Sequence, residues 1–127
     1  MAEETIAERL TPDFQITDSM RMVQETARSF AEKEIRPTVM KYDESMEFPT
    51  AIVKKLGDLG FMGVIFPEEY GGAGADFLSY VLVLEELSRA DAGVGVTVAV
   101  HTSACTLPIL AFGTDEDHFD AFGGGYS

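Results

Sequence analysis

Few residues in this chain have the type and spacing to do chemistry. The most conspicuous are the glycines of "EEYGGAGAD", Glu68 to Asp76. A dinucleotide-binding loop needs G-x-G-x-x-G between a strand and a helix, so that backbone amides meet a pyrophosphate at the helix N-terminus. Counting from Gly72 gives Gly74 but then Phe77, and counting from Gly93 gives Gly95 but then Val98. No G-K-S/T follows either cluster, so the glycines are read as turn formers. His101 and His118 are far apart, with no cysteine pair and no H-x-x-x-H spacing, and no metal site is expected. His118, near a helix start, is expected to face solvent. The single cysteine, Cys105, lies in an apolar segment and reads as a small buried thiol rather than a nucleophile. No serine or cysteine has a base at a recognisable spacing. The paired carboxylates Glu32, Glu34, Glu85 and Glu86 read as helix-surface charge. No catalytic and no cofactor-binding residue is therefore assigned.

Charge narrows the partners. Twenty-two acidic against nine basic side chains give a net charge of −13, which repels polyanions at long range and excludes nucleic acid as an expected partner. A phosphate-rich ligand would need local cations to offset that field. The N-terminal "MAEETIAERL" lacks the order of a signal peptide, which gives a cytoplasmic expectation. The stretch from Ala92 to Phe112 is apolar but carries His101 and Pro108, and no membrane span is expected there.

The elements that must position these residues are mostly helical. Ile16, Met20, Val23, Ala27, Phe30, Ala31 and Ile35 recur at steps of three and four, the core stripe of an amphipathic helix capped by Thr17 or Asp18. Pro37 removes an amide that would bond the Lys33 carbonyl, predicting a kink before the helix resumes through "TVMKYDE". A second helix follows Pro49, which suits a first-turn position, with Ile52, Val53, Leu56 and Leu59 on one face and Gly60 as its stop. "FMGVIFP" reads as buried extended chain. Asp76 sits where an N-cap belongs, ahead of a stripe formed by Phe77, Tyr80, Val81, Leu84 and Leu87. "GVGVTVAV", Gly93 to Val100, is ambiguous: alternating valines signal a strand, whereas small residues between them fit a buried helix with no stripe. Thr114 to Asp117 spells a capping-box start.

Three segments together resemble one family. "FAEKEIRPTVMKYDE", "FPTAIVKKLGDLGFMGVIFPEEYGGAGAD" and "LVLEELSRADAGVGVTVAVHTSACTLPILAFGTDED" are similar, in that order, to the N-terminal helical domain of acyl-CoA dehydrogenases. The resemblance implies an all-α fold of four main helices, an extended buried segment and a truncated last helix. It implies a tail over 1–16, a helical domain over 17–122 and a glycine-rich end over 123–127. It resolves Val94 to Val100 as helix, and makes "PEEYGGAGAD" a structural loop. The activity it implies is FAD-dependent α,β-desaturation of an acyl-CoA thioester: a glutamate removes the α-proton and the β-hydrogen leaves as hydride to the flavin. The family's base and main flavin contacts fall beyond the matching region, so FAD is expected in the complete enzyme and none on this chain alone. The helix carrying Thr97, Val100, His101 and Ala104 corresponds to one that lines the acyl tail, and these four are the candidate substrate-pocket residues; ordinary core packing is the competing reading. A face left bare of the other domains predicts self-association. A non-catalytic helical interaction module that kept the fold is the alternative.

Overall fold

The computed structural model describes residues 15–118. Among these residues there is no strand, and four long helical stretches form the domain. The expected tail up to residue 14 and the expected glycine-rich end lie outside the described residues.

Helix α1 (Asp18–Phe30) starts at Thr17, whose Oγ1 accepts the Met20 N–H at 3.2 Å. It runs directly into a π-helical turn (Ala31–Ile35), a 3-10 turn (Arg36–Thr38) and α2 (Val39–Ser45). The interruption falls at Pro37 as expected, because a proline within a helix cannot donate to the preceding turn. Next to the break the Thr38 hydroxyl donates to the Ile35 carbonyl at 2.9 Å and the Glu34 carbonyl at 3.2 Å.

Helix α3 (Thr50–Asp58) buries Ile52 and Leu56, whereas Leu59, expected on the same face, is exposed. Pro49 stands at its N-cap, one place before the expected first turn, and Gly60 follows its end at φ +81°. The next segment is buried through Phe61, Met62, Val64 and Phe66 but is not extended. The Gly63 N–H bonds to the Gly60 carbonyl and the Phe66 N–H to the Gly63 carbonyl, so the chain is folded into consecutive turns. The glycine loop lies alongside and bonds to it: Ala73, Gly74 and Ala75 donate to the carbonyls of Gly63, Phe66 and Val64 at 2.8–2.9 Å. A Cβ on Gly72 would sit 2.2 Å from the Phe66 oxygen, a contact no side chain tolerates.

Helix α4 (Phe77–Ala90) is capped by Asp76, which accepts the Ser79 N–H at 2.6 Å. It is the central element, flanked by α1 and by α5 (Ala92–Val100). Two neighbours give it a wide buried face comprising Ser79, Tyr80, Leu82, Val83, Glu86 and Leu87. Phe77 and Val81, expected on its core stripe, are exposed instead.

The valine-rich stretch is helical. Helix α5 continues through a π-helical turn (His101–Thr106) into α6 (Leu107–Phe112). Strand propensity loses because Gly95 lets the backbone close on α4: a Cβ there would lie 1.9 Å from Ser88 Oγ and 3.1 Å from Ser88 Cα. A short α7 (Asp115–His118) begins with the expected reciprocal cap, the Asp117 N–H donating to Thr114 Oγ1 and the Thr114 N–H to Asp117 Oδ2. Those bonds from Thr114 hold the Asp117 carboxyl below its usual range.

Candidate functional site

Helical spacing puts Thr97 and His101 one turn apart on one face of the α5 stretch. Both line a cleft of about 390 Å³ whose other walls are Phe48, Thr50, Val53, Lys54 and Met62. Phe48 comes from the link into α3, Val53 and Lys54 from α3 itself, and Met62 from the buried turns. The Thr97 hydroxyl donates back to the Gly93 carbonyl at 2.9 Å, a bond within its own helix. His101 is half-buried, and burial holds its imidazole below the usual histidine range, so the ring is neutral at pH 7. A largely apolar cleft with a neutral imidazole is suited to an alkyl group rather than to a phosphate.

The other two candidate residues are not brought into this cleft. Val100 and Ala104 are exposed, which corrects the expectation of a wholly buried helix. Only one face, with Val94, Gly95, Val98, Thr102 and Thr106, is buried. Val96, Val100 and Phe112 are exposed apolar side chains on the same stretch. By length and composition this is the one helix among the described residues that could cross a membrane. Its packing against α4 is the alternative use of the same apolar sequence.

Three further expectations are corrected. Cys105 is exposed, since the π-helical turn carries it to the open side. His118 is buried, with Nε2 2.9 Å from the Ile109 carbonyl oxygen and its ring edge-on to Tyr70. Burial, with a hydrogen bond to Asp115, raises the Tyr70 hydroxyl above its ordinary value. Glu86 is not surface charge: it is 2 % exposed. Arg28 grips its carboxylate through two bonds of 3.0 and 2.7 Å, and Gln24 adds a third at 3.1 Å. The Arg28 guanidinium holds that carboxyl below the usual range. Within its own helix Glu86 differs from exposed Glu85 only by spacing, standing one turn after buried Leu82 and Val83, and that spacing turns it inward.

The glycine loop does not fit the flavin's pyrophosphate. Its amides at Ala73, Gly74 and Ala75 already bond to the protein's own carbonyls, and the space beside Gly72 is filled by Phe66.

Known proteins share this arrangement. The model of the acyl-CoA dehydrogenase N-terminal domain matches residues 17–118. An acyl-CoA dehydrogenase of Bacillus subtilis (strain 168) is 48% identical over 101 residues, covering 80% of this chain and 27% of the relative. The structure of butyryl-CoA dehydrogenase from Megasphaera elsdenii superposes with a TM-score of 0.79 at 38% identity, covering 86% of this chain and 29% of that one. Acyl-CoA dehydrogenase complexed with FAD from Bacillus anthracis superposes with a TM-score of 0.81 at 31% identity, covering 94% and 20%. The chain thus spans about a quarter of the length of the relatives it matches.

Proposed function

The chain belongs to the acyl-CoA dehydrogenase family, within its N-terminal helical domain, and from that premise we propose that it supplies one wall of the acyl pocket of an FAD-dependent acyl-CoA desaturase. The supporting observation is the Thr97–His101 pair in an apolar cleft on the most apolar helix of the domain. An alkyl chain laid against Phe48, Val53 and Met62 would leave water, at about 25 cal/mol for each Å² of apolar surface buried. Positioning is this domain's part in catalysis; the proton-abstracting carboxylate and the flavin-holding groups belong to other parts of the enzyme. Val100 and Ala104 extend the same wall once a further domain covers their exposed face. Where that face stays bare, Val96, Val100 and Phe112 drive self-association. A soluble, cytoplasmic setting goes with this reading.

The test is a graft of residues 17–118 in place of the matching region of the Bacillus subtilis relative, assayed by acyl-CoA-dependent reduction of a dye. The expected result is a yellow, active hybrid in which Ala104→Phe shifts preference toward shorter acyl chains by roughly tenfold in kcat/KM, since a pocket contact of this size is worth on the order of 1–3 kcal/mol. An unchanged chain-length profile in an active hybrid removes the wall role.

A further inference from the structure

The cleft holds one feature that an acyl wall alone does not require. Four described cations have carboxylate partners: Arg28 with Glu86, Arg36 with Glu32, Lys55 with Glu34, and Arg89 with Glu85 and Glu86. Arg21, Lys33, Lys41 and Lys54 have no ion pair of this kind among the described residues, and of these four only Lys54, beside Lys55 on α3, lines the cleft. It does so with Phe48, Val53, Met62 and His101. A lysine stem packs along apolar surface while its ammonium reaches outward, so it provides a cleft of this kind with an apolar interior and a cationic lip. His101 supplies a dipole there rather than a second charge.

We propose that this cleft takes a ligand with a short alkyl stem ending in a carboxylate, its stem lying against Phe48, Val53 and Met62 and its anionic end paired with Lys54. Resting on the pocket-wall reading above, this specifies which tail that wall prefers: an acyl group with an acid at its far end rather than a plain alkyl end. The chain's strongly negative field opposes every anion that approaches. A preference for a carboxylate at this one place must then come from a local cation, and Lys54 is the cation present.

The experiment is a pair of titrations of the 127-residue chain, with hexanoate and with hexanol, followed by the backbone amide resonances of Val53, Lys54, Thr97 and His101. Hexanoate is expected to bind about threefold more tightly than hexanol, the scale of one partly exposed ion pair. The advantage should disappear in Lys54→Met, which keeps the stem, and in 0.5 M salt, which screens the pair. Equal binding of the two ligands overturns the carboxylate preference and leaves the apolar wall standing. An advantage for hexanoate that survives in Lys54→Met also overturns it, by placing the anion elsewhere. If neither ligand moves these resonances at tens of millimolar, the cleft is not an alkyl site and both readings fall.

Discussion

Two long helical stretches flank α4, and both are interrupted by a proline with a π-helical turn just before it. The first, Asp18–Ser45, carries Pro37; the second, Ala92–Phe112, carries Pro108. Each has a threonine whose hydroxyl bonds carbonyls near the break, Thr38 in the first and Thr106 in the second. They differ in how they meet α4. The first brings large side chains and charge: Phe30 and Ile35 are buried, and Arg28 reaches across to Glu86. The second comes close because it has almost nothing in the way, with Gly95 against Ser88. One interface depends on volume that is present and the other on volume that is absent.

That contrast yields its largest test in a matched pair of substitutions. Ile35→Ala removes buried volume and should cost about 3 kcal/mol, within the range of large-to-small core changes. Gly95→Val adds volume where even a Cβ would clash, and should cost about 2 kcal/mol through overpacking and backbone displacement. Urea denaturation measures both; a Gly95→Val variant as stable as the parent would mean that α5 and α4 are not in close backbone contact.

A smaller effect separates the interfaces by pH. Glu86 has its folded-state carboxyl depressed by Arg28, so the stability it contributes is present above the unfolded carboxylate value and is lost as pH falls through the lower folded one. Thermal melts of the parent should therefore fall progressively below about pH 5, the region where an unfolded glutamate begins to take up protons. Arg28→Met should flatten that acid limb while lowering stability at pH 7, because a buried carboxylate loses its main partner. An unaltered acid limb in the variant would remove the pair from the first interface's account.

The smallest effect compares the two threonines. Thr106 is 3 % exposed and its hydroxyl donates to the His101 and Thr102 carbonyls at 2.9 and 3.1 Å, so Thr106→Val should cost about 1 kcal/mol by removing a buried hydrogen bond that water cannot replace. Thr38 is only half-buried, and water can replace its hydroxyl. Thr38→Val should then cost about 0.5 kcal/mol or less. The reverse order would show that burial is not what distinguishes the two breaks.

Sequence alone determined those features that one segment can specify for itself. The cap at Asp76, the capping box at Thr114, the break at Pro37 and the stop at Gly60 are each set by a few adjacent residues, and each appears in the structure; the expected stripe of the first helix is buried at Ala27, Phe30, Ala31 and Ile35, whereas Ile16 at its start is exposed. Resemblance to a family, carried by three segments in order, added the helical fate of Gly93 to Val100, which the alternating valines alone left undecided. What only tertiary structure decided are properties of pairs of distant segments. Glu86 became a buried anion because Arg28 lies opposite, His118 was buried by Tyr70 and the end of α6, and the buried turns of 61–66 bonded to the glycine loop instead of extending. The candidate site belongs to this second group. Thr97 and His101 share a face by helical spacing, but Phe48, Val53, Lys54 and Met62 reach them only after α3 and its following turns fold back against α5. A residue's local spacing fixes which way it faces along its own helix, whereas burial, charge pairing and cleft shape depend on what packs against it, and no single segment encodes that.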